Sequence, residues 1–237
     1  MCRIAIVAAM QREVAPLVRG WSSRRIEEDG RSYLLFENGD VALICSGIGR
    51  EAARRATEAV IRQRRPGHVV SVGFAGALNP SLRVGDICQP RVIVNAADGA
   101  RTVTGLGSGT LVSFAAVAGV DQKQRLAKAY SADAVDMEAA AVAQQAQAND
   151  VVFSALKAIS DEAEFVLPPT ERFVSGDGQF QTASFVAHVA VRPWLWRRTF
   201  ALARNSTRAS RALCAALENF LQSETANQPG CNPVASC

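Results

Sequence analysis

Residues 134–143 read AVDMEAAAVA, and how these ten residues are parsed decides the fold. Up to Val135 the apolar residues follow a strand; from Ala139 they follow the period of a close-packing helix that continues to Ala148. Asp136, Met137 and Glu138 stand where the period changes, so a strand delivers two carboxylates and a thioether to the mouth of a helix. Turns of this kind are where open α/β sheets keep their sites. KAISDEA, residues 157–163, forms a second junction, in which a buried-looking run over 151–159 ends in Ser160, Asp161 and Glu162. Taken singly, each acid reads as a helix cap or a partner of the helix dipole, and Met137 as core filler. Glu13 shifts that balance, because it follows a first strand over 3–9 and reaches back over the same sheet edge. Three acids from three strand ends can surround one small neutral molecule that needs an acid, a base and recognition of its hydroxyls.

Working outward, strands and helices alternate. Strands are expected over 3–9, in a meander between 24 and 45, and over 68–74, 86–96, 110–114, 132–135 and 151–159. Helices are expected over 11–19, 50–65, 121–129, 137–149, 182–191 and from 193 to about 221, with a loop over 98–109. Such alternation predicts an α/β chain, one domain over 1–222 in three αβα layers around a central mixed sheet. A tail over 223–237, containing Gln, Asn, Pro and Ser, is expected to be disordered.

The composition fits this. A chain of 237 residues with 49% hydrophobic and 20% charged residues is globular and can bury a full core. The six cysteines form no CxxC pair, and His68 and His188 lie far apart, so neither a zinc site nor a disulfide framework is predicted. The apolar run at the start is too short to span a membrane and passes into a charged helix, which reads as the first strand of a cytoplasmic protein. The net charge is +4 with the basic residues spread out, and Arg50, Arg54, Arg55, Arg62, Arg64 and Arg65 share one helix with Glu51 and Glu58. That pattern is a solvated helix face, not a nucleic-acid contact. The last helix sets Arg197, Arg204, Arg208 and Arg211 opposite Leu195, Leu202, Leu213 and Leu217; packing on its own sheet is the expectation, a membrane surface the alternative.

Glycines cluster in SGIG (46–49), GFAG (73–76) and GLGSG (105–109), where backbone N–H groups can cradle an anion or let a sugar approach the main chain. None is a P-loop or a dinucleotide fingerprint. In order along the chain, CRIAIVAAMQREV (2–14), ICSGIGREAA (44–53), SVGFAGAL (71–78), RVGDI (83–87), AVDMEAAAVA and KAISDEA resemble the nucleoside phosphorylase and nucleosidase superfamily. The methylthioadenosine/S-adenosylhomocysteine nucleosidases and the hopanoid-associated phosphorylases look closest.

The resemblance, over roughly residues 2 to 165, implies a phosphorylase/hydrolase-like fold and cleavage of a purine nucleoside without metal or organic cofactor. It implies that Asp161 serves N7 of the purine, that Glu138 grips the ribose hydroxyls with Met137 against the sugar, and that Glu13 activates water. Asp136, Ser160, Phe74, Ala75, Gly76 and Phe114 complete the expected substrate site, Phe114 as the aromatic beneath the base. Gly49, Arg50 and Lys157, with Arg12, are the groups expected on the phosphate or water side. Phe74 stands where many members carry Ser, and Lys157 where Arg is common; losing a hydroxyl and a bidentate fork argues against tight phosphate binding. Hydrolysis of a 5′-substituted adenosine is therefore the expectation. Two alternatives stay open: phosphorolysis of a purine nucleoside or of a lipid-linked one such as adenosylhopane, and a protein that binds nucleosides without turnover. The short stretch between Asp86 and Asp136 and the Trp194-Leu195-Trp196 helix start favour a bulky substrate. A homo-oligomer, a dimer or larger, is expected.

Overall fold

Ile4–Ala8 (β1) is buried along its whole length, which fixes it at the centre of a sheet covered on both faces. The computed structural model that shows this describes residues 2–168 and 192–226, with Phe173, Gly178, Gln181 and Ser184 between them. Alternate residues of β1 feed two cores, Ala5 and Val7 on one side and Ile4, Ile6 and Ala8 on the other. β1 pairs in parallel with Val41–Cys45 (β4) and with His68–Ala77 (β5). Ser22–Glu28 (β2) and Arg31–Asn38 (β3) extend the sheet from β4 as the expected antiparallel meander.

Two more strands pair with β5. Val152–Asp161 (β11) runs parallel to it, and Ala134–Asp136 (β10) pairs antiparallel with its last residues. Thr110–Ser113 (β9), Val92–Asn95 (β7) and Arg101–Val103 (β8) continue from β10, while Ile87–Cys88 (β6) pairs with β11. The sheet is mixed and its order is β2-β3-β4-β1-β5-β10-β9-β7-β8, with β11 and β6 branching from β5. The strand expected over 86–96 is thus two strands, broken beside Pro90, which has no N–H for a ladder. The loop expected over 98–109 contains β8.

One face is covered by Arg50–Arg64 (α2) and the alanine-rich Ala139–Ala148 (α4), whose small side chains share a core with Val60, Val69 and Phe153. α2 stops as expected: Arg65 adopts a left-handed conformation, φ 47°, and its N–H donates to Ile61 O at 2.8 Å before Pro66. Its arginines pair along the helix, Arg54 and Arg55 with Glu51 and Arg54 with Glu58. Gln11–Val14 (α1) and the long Pro193–Ala226 (α5) cover the other face, where Ala209, Leu213 and Leu217 are buried against Ile4, Ile6 and Val70. Val120–Tyr130 (α3) packs Leu126 on Val94 and Val112.

α1 is shorter than the helix expected over 11–19, since Pro16 cannot donate back to Arg12. α5 is longer than expected: residues 223–226 are helical, not tail. The helix expected over 182–191, His188, Cys231, Cys237 and the tail from 227 lie outside the described residues, apart from Ser184. Among the described residues no helix is long and apolar enough to cross a membrane.

Candidate active site

The ends of β1, β5, β10 and β11 open on one cavity of about 730 Å³, walled on its far side by α5. Each strand brings chemistry to it. Glu13, one turn into α1, is buried, and its Oε2 accepts from Met10 N–H at 3.1 Å, the return bond of a helix start. Its carbonyl oxygen accepts from Ser210 Oγ of α5 at 3.0 Å, so the long helix holds the short one in place. Burial raises the Glu13 carboxyl above the usual carboxylate range, opposed by the Met10 N–H and by the charges of Lys157 and Arg12.

β10 ends in three residues with different tasks. Asp136 caps α4, since its Oδ2 accepts from Ala139 N–H at 2.8 Å and its Oδ1 accepts from Ser113 Oγ at 2.5 Å. Met137 and Glu138 line the cavity beside it. Glu138 Oε1 accepts from Gly49 N–H at 2.7 Å. Gly49 opens α2 at φ 97°, a conformation that favours glycine, so one glycine turn cradles a carboxylate of the protein itself. Burial, and then the neighbouring Asp136 charge, push the Glu138 carboxyl up to about 7, against Lys157 and the Gly49 bond.

β11 carries one extra residue relative to β5 between Ile159 and Asp161. That bulge at Ser160 re-aims Asp161 into the cavity. Asp161 Oδ1 accepts from Ser160 Oγ at 2.7 Å, and Oδ2 is ion-paired with Lys123 Nζ. Phe74, Ala75 and Gly76 of β5 form the floor between the acids.

The structure therefore gathers Glu13, Phe74, Ala75, Gly76, Asp136, Met137, Glu138, Ser160 and Asp161 around one space. Four expected residues stand elsewhere. Phe114 continues β9, its N–H donating to Asp136 O at 2.8 Å, and its side chain packs with the core under α3; Ala116, Val117 and Ala118 face the cavity instead. Gly49 is engaged behind Glu138. Arg50 is exposed and donates to Gln144 Oε1 at 3.3 Å. Lys157 is buried beneath the floor, 2.8 Å from Asp136 Oδ2 and 3.1 Å from Ser71 Oγ. Its ammonium is held charged because the nearby carboxylates outweigh the cost of burial.

Lys123 and Ser210 were not expected at the site. Lys123 sits in VDQKQRLAKAY, an amphipathic helix in which a lysine reads as solvent-facing. Ser210 lies among the arginines of α5 and carries no local signal.

The chain belongs to the phosphorylase superfamily, whose model matches residues 3–118 and 108–190. Among named relatives it is 30% identical over 200 residues to the 5′-methylthioadenosine/S-adenosylhomocysteine nucleosidase of Glaesserella parasuis, covering 68% of this chain and 86% of that protein. A match to the nucleosidase of the same name from a Marinomonas species is 35% identical but spans 91 residues, 37% of this chain and 39% of that relative. The same fold is seen in the 5′-methylthioadenosine nucleosidase of Arabidopsis thaliana, at TM-score 0.73 and 18% identity over 97% of this chain and 98% of that one. It is also seen in Helicobacter pylori futalosine hydrolase, at TM-score 0.70 and 19% identity over 94% and 98%.

Proposed function

We propose that the protein hydrolyses the N-glycosidic bond of a purine nucleoside, a 5′-substituted adenosine, and releases adenine. The observation that carries this reading is the convergence of Glu13, Glu138 and Asp161, from three strand ends, on one cavity. Glycosidic cleavage passes through a state in which positive charge grows on the sugar, and carboxylates around the sugar stabilise it. In this reading Asp161 serves the departing base, Glu138 accepts the ribose hydroxyls with Met137 against the ring, and Glu13 takes the proton of the attacking water. A carboxyl raised by burial, as Glu13 is, suits a general base working near neutral pH. The nucleosidase relatives support the same reaction. This chemistry calls for no metal or organic cofactor.

Water is favoured over phosphate because three of the groups expected to hold an anion, Gly49, Arg50 and Lys157, are engaged with Glu138, Gln144 and Asp136. A second reading keeps the site and changes the substrate to a lipid-linked adenosine cleaved by water or phosphate. Its support is the cavity itself, which continues past the acids between α1 and α5 along Pro16, Leu202 and Ala203, with Arg12 and Arg211 beside it. Four free thiols among the described residues support a reducing, cytoplasmic setting. Exposed Val103 and Leu106 at and beside the edge strand β8 support association of subunits.

Chromatography of adenine released from methylthioadenosine, S-adenosylhomocysteine and adenosine, with and without phosphate, tests the proposal. Release without phosphate supports hydrolysis; strict dependence on phosphate moves the reading to phosphorolysis. Asp161→Asn is expected to bind the nucleoside and lose roughly two to four orders of magnitude in turnover. Wild-type protein that binds adenosine analogues and releases no base from any of them would be a nucleoside-binding protein.

A further inference from the structure

Two lysines are almost wholly buried among the described residues, at 1% and 2% exposure. Lys157 lies under the cavity floor and is neutralised by Asp136. Lys123, the fourth residue of α3, reaches into the cavity itself. Its Nζ is ion-paired with Asp161 Oδ2 and donates to the carbonyl oxygen of Glu162 at 2.7 Å. The other oxygen, Asp161 Oδ1, accepts from Ser160 Oγ at 2.7 Å. Both oxygens of Asp161 are thus engaged as acceptors, one from an ammonium and one from a hydroxyl. The ammonium hydrogens nearest that carboxylate are those of Lys123. β5 is shaped around the pair: a Cβ on Gly76 would lie 3.0 Å from Asp161 Oδ2 and 3.1 Å from Lys123 Cε.

We propose that Lys123 supplies the proton that the departing base acquires, passing it through Asp161; the inference rests on the nucleosidase reading above. The C1′–N9 bond breaks with its electron pair going to the purine. A proton passes from Lys123 Nζ to Asp161 Oδ2 and on to N7 of the base. Water gives hydroxide to C1′ and its proton to Glu13. When Glu13 returns that proton to solvent and Lys123 regains one, the sum is nucleoside plus water to free base plus sugar. Lys123 acts through Asp161 and is a positioning residue that also carries the proton; Asp161 is the group that touches the base.

The test compares wild type, Lys123→Met and Lys123→Arg on methylthioadenosine and on 4-nitrophenyl β-D-ribofuranoside, whose leaving group departs as a stable anion without a proton. Lys123→Met is expected to lose about 100-fold or more in adenine release, a larger loss than it shows in nitrophenol release. Lys123→Arg keeps the buried charge, but arginine does not give up its proton; it should fail on methylthioadenosine as Met does, with a smaller loss on the nitrophenyl substrate. Equal losses on both substrates in the Arg variant, or wild-type adenine release by it, would overturn the proposal and leave Lys123 a structural counter-ion. Wild-type protein that releases neither product would overturn the nucleosidase reading, and this inference with it.

Discussion

Lys157 Nζ lies 2.8 Å from Asp136 Oδ2, and neither side chain is more than 1% exposed. Asp136 in turn caps α4 and accepts from Ser113, so one ion pair ties β11 to β10, β9 and the helix behind the acids. Removing one member of a buried pair leaves the other charge uncompensated. Lys157→Met is therefore expected to lower unfolding free energy by about 3–5 kcal/mol in urea titrations. Lys157→Met combined with Asp136→Asn should recover a large part of that loss, whereas an anion ligand with no structural role would show neither effect.

Glu138 makes stability depend on pH in an unusual direction. Its carboxyl is raised from 4.5 to about 7 in the folded chain, by burial first and Asp136 second. Between those values the folded protein holds a proton that the unfolded chain has released, so its contribution to stability falls as pH rises through the window. Glu138→Gln should be more stable than wild type at about pH 8, by an amount on the order of 2 kcal/mol, and should lose that advantage at about pH 4.5. Thermal melts of both proteins across this range measure it.

With Glu138 holding the ribose as proposed, the same carboxyl would set an acid limit on nucleoside binding. The ionised form offers both oxygens as full acceptors to a pair of hydroxyls, whereas protonation turns one of them into a donor. The KM for a ribonucleoside is expected to rise as pH falls below about 7, and a 2′,3′-dideoxy analogue should lose that dependence. Identical pH profiles for the two would remove Glu138 from the sugar.

Gly73 and Gly76 differ in what a methyl group would cost. Gly73 sits at φ 155°, and a Cβ there would lie 3.3 Å from Glu13 Oε2, so Gly73→Ala combines backbone strain of about 1–3 kcal/mol with displacement of the acid. At Gly76 no φ strain applies and the Cβ meets Asp161 and Lys123. Gly76→Ala should thus cut turnover at least about tenfold with little change in melting temperature, a contrast that paired activity and melting measurements read directly.

Ser210 is a remote support for Glu13. Its hydroxyl donates to the carbonyl oxygens of Glu13 at 3.0 Å and Arg12 at 3.2 Å. Ser210→Ala should cost about 1 kcal/mol in stability, and turnover should fall more than affinity for the nucleoside, measured as kcat against Kd.

The acids themselves were legible in the sequence because strand ends and helix starts are local signals: Asp136-Met137-Glu138 and Ser160-Asp161 each mark a change of period. The alanine run of α4 announced close helix packing in the same way. What stayed hidden depends on contacts distant in sequence. Lys123 meets Asp161 across 38 residues, and within its own helix nothing distinguishes it from Lys128. The place of Phe114 beneath the base came from the family resemblance alone, and the hydrophobic cluster beneath α3 holds its ring instead. Lys157 looked like an anion ligand because it stands where the family commonly carries Arg; from the middle of β11 it is buried and ion-paired with Asp136 instead.

The glycines of β5 also act as a ruler. Gly73 lies against Glu13 and Gly76 against Asp161, and three residues of extended chain span about 10 Å. The separation between the group that would meet the incoming water and the group that would meet the outgoing base is thus graduated in peptide units along one strand, not set by flexible side chains. On the proposed reading such a gauge leaves room for substituents at the sugar's far end, where the cavity continues, while holding the reacting span to a single length. Diversification of substrate would then fall to α1 and α5, which line that continuation, while β5 keeps the spacing.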